Sequence, residues 1–422
     1  MLINRFGAET AVLLIATPFL LFPTSFWPGT LLALCLLLLS WIWPAAASPR
    51  WPWANTPLNA TLLLWSFCLL GGILVSADPD LSLPKLTGLL LGIAVWRYLT
   101  WPLPSRYLPA VVVIFVALGL GFTGIGVLSA NWVVKIPVLA RWLPPRLLVL
   151  PTAAEAGIQT NQLAGTILIY LPLLLSLVGL SSAIRSQWLR PFLLLLTGGT
   201  AVLLLLTQSR SGWVGGLGGL FVWLCLYSLL LPAAQSRRAR QALALFVTLV
   251  LLTLAWIGPT RLLELWADPV QETAVGALDS LNFRHEVWQW GLQAVGDFPF
   301  TGVGLGTFRR VIFRFYPTQI NPTYDLAHAH NIFLQVALDM GLPGLISYGA
   351  LLLLAGWMGW QIARQSLPWR GVAIGLLSGL AALHIYGLAD ALALGSKPGL
   401  LFWWLLGLLT ALWCKQQDGF TL

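Results

Sequence analysis

Charge is what this chain has least of. Only 9% of its 422 residues are Asp, Glu, Lys or Arg, against about a quarter in a soluble domain, which excludes an ordinary water-soluble fold. Cysteine is scarce too. Cys35, Cys68, Cys225 and Cys414 lie inside apolar runs with no CxxC or Cys/His spacing, so neither a disulfide framework nor a zinc site is indicated. The chain shows no repeat period or low-complexity tract and ends soon after its last apolar run. A single integral membrane domain over 1–422 is therefore expected to contain the whole activity.

What is present is apolar sequence, 58% of the residues with 23 Trp and a mean hydropathy of +0.83. Runs of about 18 or more apolar residues suit bilayer spans. The expected fold is all-α and polytopic, with about twelve spans near 8–22, 27–44, 58–76, 83–102, 107–128, 158–180, 188–206, 211–232, 240–258, 341–360, 371–392 and 398–415. The single Arg in MLINRFGAET before the first run, with a second span following at once, reads as a signal anchor. The net charge of +9 is spread over short connections, which points to topology and away from nucleic acid. Placing both termini in the cytoplasm keeps Arg50, Arg106, Arg185, Arg190, Arg237, Arg238, Arg240, Arg364, Arg370 and Lys415 inside, as the positive-inside bias requires. Two long segments then face outward, 131–157 and 259–330. Long loops on a rigid scaffold are where function concentrates, so the extracytoplasmic 259–330 loop is expected to carry part of a site.

Three stretches in or beside the outward segments hold chemistry. LTQSRSGWVGG sets Arg210 among hydroxyls at a span boundary, where an arginine is costly unless it snorkels or is used. Gly212/Gly216 and Gly215/Gly219 then have the spacing that lets helices approach closely. In NFRHEVWQWGLQAVGDFPFTGVGLGTFRR, Arg284 and Trp288 share a face of an amphipathic interfacial helix. Arg284 either pairs with Glu286 or Glu264, or aims its planar fork at a phosphate. GVGLG lacks the GxGxxG spacing of a nucleotide loop and reads as a flexible turn.

The third stretch is AHAHNIFLQVALDMGLPGL. Asn331 is a suitable N-cap, and Gly341 with Pro343 ends a helix of about ten residues that dips into the outer leaflet before a full span. His330 then sits at the helix mouth, as a capping group or as a general base. As metal ligands His328 and His330 look poor, since helical residues two apart point about 200° away from each other, and no metal is expected. Lys85, Lys135, Arg141, Arg146 and Asn331 are possible substrate contacts. Asp339 and Asp390 fall within apolar sequence, where acids are functional suspects or packing hydrogen-bonders.

Taken in order, SRSGW at Ser209–Trp213, the R-x-x-x-W of Arg284–Trp288 followed by DFPFTGVGLGTF, and AHNIFLQVALDMGLPG resemble the O-antigen ligase and O-antigen polymerase superfamily, most strongly from Ser209 to Gly344. The resemblance implies a GT-C-like fold in the bacterial inner membrane. It also implies a metal-independent, cofactor-free, inverting glycosyltransferase. Such an enzyme takes a glycan from an undecaprenyl-diphosphate donor and attaches it to a lipid or glycan acceptor hydroxyl on the extracytoplasmic face. Arg210 and Arg284 match the diphosphate-binding arginines and His330 the catalytic histidine; His328 has no counterpart. A transporter of bicarbonate or another small anion is the rival reading, since arginines in a bundle also bind anions; it requires polar residues along a mid-membrane path, where mainly His384 and Asp390 are found.

Overall fold

A computed structural model of the chain describes residues 2–46, 53–101, 104–130, 132, 158–180, 188–267, 280–322, 324 and 326–420. The expected substrate contacts Lys135, Arg141 and Arg146 lie outside the described residues. Among those described, every regular element is helical. In chain order they are α1 (Leu2–Leu21), α2 (Trp27–Ala46), α3 (Asn59–Leu74), α4 (Pro79–Thr100), α5 (Leu108–Ser129), α6 (Thr160–Leu180), α7 (Leu189–Leu206), α8 (Arg210–Leu230), α9 (Ala233–Ala267), α10 (Ser280–Asp297), α11 (Phe308–Phe315), α12 (Ile332–Gln365), α13 (Arg370–Tyr386) and α14 (Leu400–Phe420). Each predicted apolar run falls on one of these. Six described helices are long and apolar enough to cross a bilayer, and four shorter apolar helices accompany them. The membrane-embedded character of the chain follows from that set.

Polar side chains inside the bundle are paired. Arg97 on α4 is almost fully buried, bonds Glu9 on α1 and lies against both the Trp41 and Trp53 rings, 5.9 and 5.6 Å from their centroids. A buried guanidinium is costly without such partners, so this pair ties the first hairpin to α4.

Small residues set the closest helix contacts. A Cβ on Gly215 of α8 would meet Tyr386 Cβ at 2.8 Å and Ala382 O at 2.9 Å, and one on Gly219 would meet Ala382 Cβ at 2.6 Å. The GxxxG spacing thus serves contact with α13, where lipid offers no hydrophobic drive and close packing must supply the attraction. Gly212 faces Ala164 of α6, which brings α6, α8 and α13 together at the Arg210 end of α8.

Two expected boundaries change. The span predicted over 371–392 ends at Tyr386, and 387–399 run as turns. Gly387 O accepts the N–H of Ile332 at 2.7 Å, and a Cβ there would meet Ile332 Cγ2 at 2.6 Å, so the start of α12 displaces any continuation of α13. Asp390 consequently leaves mid-span for a turn. The 259–330 segment is not open loop either. Its described part contains α10 and α11, which build a second apolar core from Phe283, Val287, Phe308, Ile312, Ala329 and Leu338.

The short helix expected from Asn331 to Gly341 is present. Asn331 Oδ1 accepts the N–H groups of Phe333 and Leu334, both at 3.0 Å, and Gly341 breaks α12 at φ 72°, ψ −176°. The N–H of Leu342, just past the break, bonds Pro299 O at 2.7 Å.

Replacing Gly215 by Leu is expected to lower the apparent unfolding temperature of the protein in detergent, because overpacking costs about 1–3 kcal/mol. Gly198→Leu, where no atom lies within 4 Å of the added carbon, is expected to leave it unchanged. Equal unfolding temperatures for the two variants would contradict this packing account.

Candidate active site

The site forms where four chain segments meet. On α10, Phe283 and Val287 are buried in the second core, and their neighbours Arg284 and Trp288 lie together one turn apart. Arg284 Nε donates to Ala389 O at 3.1 Å, and Trp288 Nε1 donates to Ala329 O at 3.1 Å. The R-x-x-x-W pair therefore grips two remote backbone stretches, one beside Asp390 and one between the two histidines.

Both histidines precede α12, so the expected divergence, which assumed helical backbone, does not apply. His330 adopts φ 49°, a left-handed conformation uncommon outside glycine. The two rings come within 4.4 Å, centroid to centroid, at 60°, and Phe283 packs edge-on against His330 at 5.4 Å. The His330 N–H donates to His328 Nδ1 at 3.2 Å. That bond puts the His328 proton on Nε2, which lies 3.8 Å from Asp390 Oδ1.

Asp390 is buried to 1% exposure and places Oδ1 3.4 Å from His330 Nδ1, with the N–H of Ala391 also donating to Oδ1 at 2.8 Å. Burial alone would raise its pKa; the adjoining His330 imidazole, by contact and by charge, outweighs burial and holds it at about 2. Burial pushes the His328 pKa down to about 3, with Lys85 and Arg309 adding positive charge nearby and Asp390 opposing. At neutral pH Asp390 is thus an ionised carboxylate and His328 a neutral imidazole. With Nδ1 of His330 turned to the carboxylate, its Nε2 is the nitrogen left for a reacting proton, the orientation a general base needs.

Of the residues singled out in the sequence, Arg284, His328, His330, Asn331 and Asp390 meet here. Asn331 has both side-chain polar atoms committed, Oδ1 to the α12 cap and Nδ2 to Leu388 O at 3.0 Å. Arg210 opens α8 after Ser209, whose Oγ accepts the Gly212 N–H at 3.2 Å. Its helix meets Tyr386 five residues on, roughly 7.5 Å along the axis, so Arg210 stands at the end of the bundle that holds Asp390. Lys85 lies beneath the histidine turn, 3.8 Å from Asp339 Oδ2. Arg309 was not singled out; its Nη2 donates to Ala327 O at 3.3 Å, and the FRR run opening α11 beside GVGLG was the available signal.

A ligand atom from each of His328, His330 and Asp390 lies within 4.8 Å of the other two, a donor set that could also take a divalent cation. The positive charges of Lys85 and Arg309 close to His328 oppose a further cation there.

Because folded His328 stays neutral down to about pH 3 while an unfolded histidine protonates near pH 6.5, the unfolded chain binds more protons between those values. Stability from this group is therefore present above about pH 6.5 and lost as pH falls toward 3. The unfolding temperature in detergent is expected to drop from pH 7.5 to pH 5, and to drop less for His328→Gln. An equal drop in both proteins would refute the buried neutral imidazole.

Residues 192–349 match the family model described as O-antigen ligase. No curated protein matches the chain. The matched segment includes α8, α10, α11, the GVGLG turn and the histidine turn, while Lys85 and Asp390 lie outside it. The chain is therefore similar to O-antigen ligases over residues 192–349, with Arg210, Arg284, His328 and His330 all inside the matched segment.

Proposed function

We propose that the protein is an inner-membrane glycosyltransferase that moves a glycan from an undecaprenyl-diphosphate donor to the hydroxyl of a lipid or glycan acceptor on the extracytoplasmic face, with both termini cytoplasmic. The observation that carries this reading is the contact of His330 Nδ1 with the buried Asp390 carboxylate, beside an arginine fixed to the carbonyl of residue 389. In the reaction, the acceptor oxygen attacks the anomeric carbon as its proton passes to His330 Nε2. The bond from that carbon to the diphosphate breaks, its electron pair leaves on the diphosphate oxygen, and configuration inverts. Arg210 and Arg284 hold the diphosphate, and fixed guanidinium groups aimed at developing charge are an effective form of electrostatic catalysis. The local excess of cations supports a reaction without metal.

The small-anion transporter draws less support. Of the two polar groups expected near mid-span, Asp390 sits in a turn at the end of α13. His384 is bound on both ring nitrogens, to Tyr348 Oη and to Leu380 O, each at 2.7 Å.

Purified protein supplied with lipid-linked glycan and candidate acceptors tests the proposal. His330→Ala is expected to slow transfer by about 10²–10⁴-fold, the usual worth of a general base, with wild-type expression and unfolding temperature. Arg284→Lys, which keeps the charge but loses the planar fork, is expected to raise the donor KM or lower kcat, and EDTA to change neither. Near-normal transfer by His330→Ala would overturn the base assignment, and loss of activity in EDTA restored by zinc would overturn the metal-free mechanism.

A further inference from the structure

Beneath the histidine turn lies a buried polar chain that the mechanism above does not use. Gln335 and Asp339 stand one turn apart on α12, 4% and 7% exposed, and Gln335 Nε2 donates to Asp339 Oδ1 at 2.8 Å. The same carboxylate oxygen accepts the N–H of Gly306 at 2.8 Å, and Lys85 Nζ lies 3.8 Å from Oδ2. At the other end, Gln335 Oε1 accepts the N–H of Ala329 at 2.8 Å. Ala329 is the residue between the two histidines, and its carbonyl is the one that Trp288 Nε1 holds.

Both backbone polar groups of Ala329 are thus fixed by side chains from different helices. The next residue, His330, has the left-handed φ of 49°, and an uncommon conformation of this kind persists only where its surroundings over-determine it. Freed of Gln335, the Ala329 N–H would be buried without an acceptor, and the chain would relax toward ordinary φ/ψ by rotating the His330 ring away from Asp390. The GVGLG turn belongs to this device. Gly302, Gly304 and Gly306 have φ of 67°, 101° and 76°. Val303 N–H bonds Leu338 O at 2.8 Å and Leu305 N–H bonds Gly72 O at 2.9 Å. Ser82 Oγ bonds Leu305 O at 2.6 Å. This buried, strapped turn delivers the Gly306 N–H to Asp339, and a Cβ on Gly306 would press on Lys85 Cδ at 3.0 Å.

We infer that Gln335 and Asp339, braced by Lys85 and the Gly306 N–H, are positioning residues that hold the 328–330 turn so that His330 faces Asp390. This rests on the reading of His330 as the base. It separates chemistry from donor binding, because Arg284 is anchored independently through Ala389.

The test is steady-state transfer by purified Gln335→Leu, Gln335→Glu, His330→Ala and the exchange pair Gln335→Glu/Asp339→Asn. Gln335→Leu is expected to lower kcat by about 10²-fold, the scale of a misplacement near 1 Å, with donor KM little changed. Gln335→Glu alone sets two carboxylates against each other and is expected to lose comparably. In the exchange pair the carboxylate at 335 still accepts from Ala329 and from the amide nitrogen at 339, whose oxygen then faces Lys85, while the Gly306 N–H loses its acceptor. Part of the lost kcat is expected to return, as coupling between directly bonded residues requires. Gln335→Leu that keeps wild-type kcat while His330→Ala is inactive would overturn the positioning role alone, as would an exchange pair no better than Gln335→Glu. Full activity of His330→Ala would instead remove the reading on which it rests.

Discussion

The site depends on one join, between the N-terminus of α12 and the turn after α13. Ile332 N–H bonds Gly387 O and Asn331 Nδ2 bonds Leu388 O. Without it the Asp390 carboxylate would have no reason to lie against His330. Removing one partner from a buried ionised group typically costs about 3–5 kcal/mol, so the histidine turn and the carboxylate stabilise each other's placement. Arg284 adds a third bond close to the join, from its Nε to Ala389 O.

The rest of the bundle serves to make that join rigid. Close contact of α8 with α13 at Gly215 and Gly219 fixes the end of α13 and, with it, the start of the 387–390 turn. The break at Gly341 lets the first segment of α12 take its own direction while Leu342 remains tied to Pro299. The second core, around Phe283, Val287 and Ile312, seats α10 over the join. Each contact is local, and their sum is an imidazole, a carboxylate and an arginine held by different segments at one end of a membrane bundle.

Features encoded within a few residues were legible in the sequence. The Asn331 cap, the Gly341 stop, the shared face of Arg284 and Trp288 and the close-packing glycines of α8 each follow from a single helical repeat. Features made between distant segments were not. Asp390 read as a mid-span acid because nothing around it announces that Gly387 is taken by Ile332. The contact of Lys85 with Asp339 was not legible because the two lie on different helices. The histidines read as divergent because a positive φ at His330 has no signature in a residue that is not glycine. GVGLG, read as a flexible turn, is held still by bonds to α3, α4 and α12. Its glycines supply the positive φ values, and its rigidity comes from those distant partners.

The central claim is that His330 acts through Asp390. Transfer rates for Asp390→Asn, His330→Ala and the double variant, measured on protein of wild-type folded yield, test it most directly. The account predicts that Asp390→Asn lowers kcat strongly in the wild-type background, by leaving an amide where the imidazole needs an anion, and has no further effect once His330 is alanine. Independent, multiplying losses from the two substitutions would contradict it.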